Sequence, residues 1–314
     1  MSFQGEIEMN HYAKIGEVIK YLRKTSHLSQ AELSKDICSC KQLGRIERNE
    51  SSPSIELINL LSNRIGVNIY DTYALILEHH DIETHQQIVE INELIHQRDF
   101  VKLHHLVTKL EKYPSFSSGV PFKYIKYSES LYSSQQLHNY ESAIQVALEG
   151  LESDGSSFLS KNPSSISLSS ADLLLAQCIA VNLCRIDQYD LGKQYFNFIF
   201  DYLYKTLSAD RYVVNRNMRF ELNFLSHTAF NKYTFFHEHS DSEYANILGL
   251  INLLNSHNIS AMLPELLFCK AQIEFDNGND QLAENTLSTA RTFAHFFYDP
   301  ERANAIEREI RDLD

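Results

Sequence analysis

Glycine and proline are scarce in this chain, at 10 and 6 among 314 residues. Turn-rich β-sandwiches rely on both, and nucleotide enzymes build their phosphate loops from glycine, so both classes are disfavoured. Positive charge is also short: 28 Lys+Arg stand against 41 Asp+Glu, a formal net charge of -13. Phosphate binding needs clustered positive charge, which excludes a nucleic-acid binder over the whole surface but allows a local basic module. No run of about 18 apolar residues exists to span a bilayer. The opening MSFQGEIEMN lacks the basic-then-apolar pattern of a secretory leader, so a cytoplasmic setting is expected. Five cysteines (Cys38, Cys40, Cys178, Cys184 and Cys269) are an odd number at spacings that fit no zinc ribbon or redox pair, which predicts reduced thiols. Cys38 and Cys40, flanking a turn, are expected to be partly buried. No G-x-S-x-G, P-loop or G-x-G-x-x-G appears, so neither an enzyme nor a cofactor is expected. His79-His80, His104-His105 and His237-Glu238-His239 do not have H-E-x-x-H spacing, and adjacent histidines on a helix point apart, so no metal is expected either.

What is present is ordinary globular material, 43% hydrophobic, in a length that suits two domains or a small domain plus an array. Charge is uneven. Residues 1–70 hold nine Lys/Arg and eight Asp/Glu, whereas residues 71–314 hold 19 and 33, a mildly basic head on an acidic body. The head reads as five short helices. In 13–25, Ile15, Val18, Ile19 and Leu22 recur at helical spacing. Ser29 with Glu32 forms a capping box for a second helix, in which Ala31, Leu33 and Ile37 are predicted to face inward. A third helix begins after Cys38-Ser39 and buries Leu43 and Ile46, with Lys41, Gln42, Arg45 and Arg48 outward. Gly44 costs that helix some stability. Ser54 caps a fourth helix that Gly66 stops, and 69–79 make a fifth.

The strings LSQAEL, GRIERNESSPS and INLLSNRIGV resemble the Xre/Cro-type helix-turn-helix family over about 60 residues. The resemblance implies that helix three lies in the DNA major groove with its N-terminal residues on base edges. Lys41 then donates to guanine and Gln42 pairs with adenine. Gln30, Ser39 and the amides opening helix two grip phosphates, and Arg45 supports the contact. For Arg45 and Glu47 the alternative is an internal ion pair.

From residue 83 onward the pattern is helix after helix. A short turn, an aromatic or apolar residue and then a small or apolar one recur at Asp99-Phe100…Leu103, Asn139-Tyr140…Ala143, Gln188-Tyr189…Gly192 and Asn279-Asp280…Ala283. Ala271, Ala283, Leu287 and Ala290 occupy packing positions of a helical hairpin. These stretches resemble degenerate tetratricopeptide repeats, five hairpins with a terminal helix at 299–312 as a cap. Residues 153–170 hold nine serines and read as a loop followed by a helix cap. Asn215, Arg219 and Asn223 share one helix face, and Asn182 and Arg185 lie at i, i+3 on the preceding hairpin. Asn amides suit a peptide backbone and Arg suits a carboxylate.

The expected fold is therefore all-α. Residues 1–70 form a helix-turn-helix domain, 71–82 a linker helix, and 83–314 a right-handed solenoid of tetratricopeptide-like hairpins for peptide binding and dimerisation. Head and body together resemble the peptide-responsive regulators of Gram-positive bacteria, the RRNPP group of PlcR, Rgg, ComR, PrgX and NprR types. That resemblance implies a cytoplasmic homodimer on a near-palindromic operator in double-stranded DNA. A short signalling peptide in the concave groove (Asn182, Arg185, Asn215, Arg219, Asn223) switches it. The alternatives are a Rap-like regulator acting on a partner protein and a phage-type repressor without a peptide ligand.

Overall fold

The structure is a computed structural model describing residues 13–163, 166–208, 218–236, 241–257, 259–260 and 262–297. Fifteen α-helices and two short 3-10 turns make up the described residues, with no strand among them. No described helix is long and apolar enough to cross a membrane. Two compact units divide the chain: residues 1–153 with 168–175, and residues 154–167 with 176–314.

The first unit begins with α1 (Ile15–Thr25), α2 (Gln30–Ser34), α3 (Cys40–Glu47), α4 (Ile55–Ile65) and α5 (Ile69–Glu78). Their limits follow from capping. Ser29, Ser39 and Ser54 each accept a backbone N–H of the first turn they precede, and Gly66 ends α4 at φ 81°. Val18, Ile19, Leu33, Leu43, Ile46, Leu61 and Ile76 close one core. Burying each such side chain contributes about 1.5–3 kcal/mol. Ala31 departs from expectation and is exposed, because α2 is a five-residue helix whose inward face is filled by Leu33 and Ser34. Gly16 marks a tight approach in the head. A Cβ there would sit 2.0 Å from the Ile46 carbonyl oxygen, so α1 touches the end of α3 backbone to backbone.

Four more helices complete this unit up to the start of α10: α6 (Ile82–His96), α7 (Phe100–Leu110), α8 (Gly119–Gln135) and α9 (Tyr140–Leu151). Ile88, Ile91, Leu103, Val107, Leu110, Phe116 and Ile125 form its second core, with Ala171 from α10 (Ser170–Arg185). Ser169 and Asp172 cap α10 reciprocally, and Lys123 of α8 donates to Asp172 at 2.6 Å.

The second unit carries the rest of α10, then α11 (Tyr189–Ser208), α12 (Met218–Phe236), α13 (Asp241–Ser256), α14 (Leu263–Asp276) and α15 (Asp280–Phe297). The serine-rich segment is not a plain loop. Its 3-10 turn Phe158–Ser160 drives Phe158 fully into the interior, 4.5 Å from the Phe198 ring and stacked on Tyr195.

In chain order, α6–α7, α8–α9 and α14–α15 pack as helical hairpins, and Gly192 of α11 abuts Cys184 of α10. Three of the turns share one device. Arg98, Asp187 and Gly278 adopt positive φ, and the next residue's N–H (Asp99, Gln188, Asn279) reaches back five residues to a helix carbonyl. This is a Schellman ending that closes one helix and opens the next. Two of the three use a non-glycine residue, which is how so many turns coexist with so few glycines. Leu103, Ala143, Gly192 and Ala283 are buried at the expected positions. At Gly192 a Cβ would meet Cys184 Sγ at 2.7 Å, so only glycine lets α11 lie this close to α10. The terminal helix expected at 299–312 lies outside the described residues.

Candidate DNA-reading helix and polar stripe

In the head, α3 is positioned by three ties to α1. Arg23 donates bidentately to Glu47, Nε to Oε1 at 2.6 Å and Nη2 to Oε2 at 2.9 Å. Asn49 Nδ2 donates to Glu17 at 3.0 Å, and Gly16 abuts Ile46. Gln30 Nε2 adds a 2.8 Å bond to Glu47. Burial pushes the Glu47 carboxyl up, but bonds from Arg23 and Gln30 and the Arg23 charge more than offset it, leaving it below the usual carboxylate range. The partner of Glu47 is therefore Arg23, not Arg45, and the alternative Arg45–Glu47 pair is overturned. Residues two apart on a helix point in different directions.

With its inner face locked, α3 presents its other side to solvent. Cys40, Lys41, Gln42 and Arg45 are exposed, while Leu43, Ile46 and Glu47 are buried. Cys40 is thus not the partly buried thiol expected, whereas Cys38 is half-buried. Arg45 Nε lies 4.0 Å from Glu50, an exposed and loose contact. Ser39 Oγ accepts the Gln42 backbone N–H at 3.1 Å, so a lone pair caps the helix and the hydroxyl keeps its donor capacity. Gln30, expected to grip phosphate, has one amide hydrogen committed to Glu47. At Gly44 a Cβ would meet only side-chain ends, Arg48 Nη1 at 3.3 Å and the Gln30 amide at 3.7 Å.

In the second unit the relevant element is α12. Asn215 lies outside the described residues, and of Arg219 only its place in the helix is described. Asn223 is the informative member: its Oδ1 is buried with no hydrogen-bond partner. An unsatisfied buried carbonyl costs about 1–3 kcal/mol. Continuing in steps of four, His227 and Asn231 extend the stripe. His227 Nδ1 contacts Gln177 Nε2 of α10 at 2.6 Å and Asn231 Nδ2 at 3.4 Å. Neither His227 nor Gln177 was expected at this site, although the i, i+4 continuation of the stripe pointed to His227. Asn182 is placed differently from expectation. It is 1% exposed and donates to the Cys178 carbonyl of its own helix, so its amide faces inward. Arg185 is exposed and donates to Asn182 Oδ1 at 3.4 Å. Among the described residues no group of three His, Cys, Asp or Glu side chains is placed to hold a metal. His237-Glu238-His239 lies outside them.

A helix-turn-helix family model, HTH_3, matches residues 19–71. No curated protein matches the chain. Among solved structures, PlcR from Bacillus thuringiensis, in complex with the peptide PapR7 and DNA, is similar at TM-score 0.57 and 18% identity, covering 95% of this chain and 98% of that one. ComR from S. thermophilus, in complex with DNA and its signalling peptide ComS, is similar at 0.51 and 19%, covering 95% and 99%. The SHP pheromone receptor Rgg2 from Streptococcus dysgalactiae is similar at 0.52 and 12%, covering 96% and 100%. The class is thus a helix-turn-helix protein joined to helical hairpins. Its fold is that of PlcR, ComR and Rgg2.

Proposed function

We propose that this chain is a cytoplasmic, homodimeric transcriptional regulator. Residues 1–70 bind a near-palindromic operator, 71–82 link, and 83–314 hold a short signalling peptide and the dimer interface. The observation that carries the reading is the division of α3. Its buried side is held by Leu43, Ile46 and the Arg23–Glu47 pair, while Lys41 and Gln42 stand outward in its first turn and Arg45 in its last. That is the arrangement a major-groove helix needs. Lys41 and Gln42 read bases, Ser39 and the remaining donor of Gln30 meet phosphates, and Arg45 sets register.

Peptide control is supported by the orphaned Asn223 acceptor, which a peptide N–H would satisfy, and Arg219 four residues away is suited to a carboxylate. Asn215 and Arg185 belong to the same proposed surface. The peptide acts by binding one dimer shape more tightly than another.

The test is footprinting of the full chain on the DNA flanking its own gene, with and without peptides encoded by neighbouring short reading frames. A protected two-fold site that shifts with one peptide is expected. Protection indifferent to every such peptide points to the phage-type repressor, and no protection at all points to the partner-protein regulator. Arg219→Ala is expected to abolish the peptide response while leaving peptide-free DNA binding in place.

A further inference from the structure

Where the head meets the first hairpins, two histidines six residues apart fold onto one another. His79 ends α5, and His80 follows it at φ 74°, turning the chain so that His85 in α6 comes back over it. The rings stack at 5.1 Å with their planes 24° apart, and the two Nδ1 atoms are 2.9 Å from each other. Both residues are buried. Tyr21 of α1 meets His85 edge-on at 6.1 Å, and Tyr124 of α8 meets His79 edge-on at 5.7 Å. The pair thus joins the first helix of the head to the second hairpin within one compact unit.

A 2.9 Å contact between two ring nitrogens requires one to carry a hydrogen and the other a lone pair. A neutral pair meets this requirement, and burial of both rings favours it over a pair carrying one imidazolium. One added proton places a charge in the interior. A second sets N–H against N–H and removes the bond. We propose that this imidazole pair is an acid-sensitive latch seating α1 of the head against the hairpins, closed while both rings are neutral and released as protons load them.

The surroundings offer a proton little compensation. The contacts from α1 and α8 are the neutral phenols of Tyr21 and Tyr124. On α5, His80 adds like charge. Glu78, the adjoining carboxyl, is pushed up by burial and by Asp172, while Asp172 is itself engaged by Lys123. On α6, Thr84 is buried beside His85, and Asn92 bonds the Tyr124 hydroxyl. Burial first, then His85 and His80, lowers His79 to about 3, and burial lowers His85. The sign follows: the neutral state is favoured when closed, so the latch is at full strength above the ordinary histidine range near ~6.5 and weakens as pH falls below it.

Hydrogen exchange of the full chain tests this, following amides of α1 and α8 with rates corrected for intrinsic pH dependence. Between about pH 7.5 and about pH 5.5, the opening constant of the wild type is expected to rise about 10-fold for each imidazole that takes a proton only on opening, or about 100-fold for the pair. His79→Phe with His85→Leu removes both titrations and is expected to change by less than about 2-fold. His85→Gln keeps a side-chain donor for His79 and removes one titration, so about 10-fold is expected. A flat wild-type profile overturns the latch, as does a double variant that opens as the wild type does. Should the double variant not fold, a full wild-type rise in His85→Gln overturns it equally.

Discussion

The proposed reading helix α3 and the α12 stripe treat their polar groups in opposite ways. Around α3, Arg23, Gln30, Glu47, Asn49 and Glu17 are all partnered, and the bonds run between helices. On α12, Asn223 leaves a buried carbonyl without a donor, while its neighbour His227 gathers two amides. A satisfied buried network makes a rigid platform, whereas an unsatisfied group is a standing cost that a ligand can relieve. The difference matches the proposed division of labour, in which the head is built before DNA arrives and the stripe is completed by its peptide.

The largest effect that would break the comparison lies at Glu47. Removing the buried Glu47 from this bidentate pair strands a part-buried Arg23, and Glu47→Ala is expected to cost about 3–5 kcal/mol in urea unfolding. Because the carboxyl sits below its usual range, its stabilisation is present above the unfolded carboxylate value and fades as pH falls through the depressed one. A loss under about 1 kcal/mol would mean that the platform is not held by this pair. Next in size is the contrast between two glycines. Gly16→Ala drives a methyl into a backbone oxygen that cannot step aside, at an expected cost of about 3 kcal/mol. Gly44→Ala meets only flexible side-chain ends and is expected to be neutral or to stabilise α3 by up to about 1 kcal/mol.

These two glycines also show what the sequence could and could not disclose. Gly44 is read from its helix alone, and helix caps such as Ser29, Ser39 and Ser54 announce themselves within four residues. Gly16 looks like any helical glycine until the Ile46 carbonyl, thirty positions on, arrives beside it. The partner of Glu47 was hidden for the same reason, since Arg23 is 24 residues away while Arg45 is the tempting neighbour. Asn182 was ambiguous because α10 is buried nearly all round, so i, i+3 spacing could not say which side is interior. The hairpins were legible through their turns, yet Phe158 hid in a serine-rich stretch whose composition suggested only solvent. The His79–His85 pair went unseen because spacing on one helix says nothing about residues on either side of a positive-φ break.

On the reading face, Lys41→Ala with Gln42→Ala should leave helix content and unfolding unchanged, since neither side chain is buried. Specific operator binding by anisotropy should weaken by about 1–3 kcal/mol per lost bidentate contact. Nonspecific binding should change far less. Equal loss on specific and random duplexes would make these residues phosphate contacts instead of base readers.

The smallest stability change carries the sharpest test of the stripe. If Asn223 is held ready for a ligand, Asn223→Leu removes a buried acceptor that nothing satisfies and replaces it with an apolar side chain of similar size. The free protein should then be unchanged or more stable by about 1 kcal/mol, because the desolvation penalty of the orphaned carbonyl disappears. Peptide affinity by calorimetry should fall by about 1–2 kcal/mol at the same time, since the peptide donor loses its acceptor. The two signs must be opposite. A variant that loses stability and peptide affinity together marks Asn223 as a structural residue of α12. One that keeps full peptide affinity places the groove elsewhere on the hairpins.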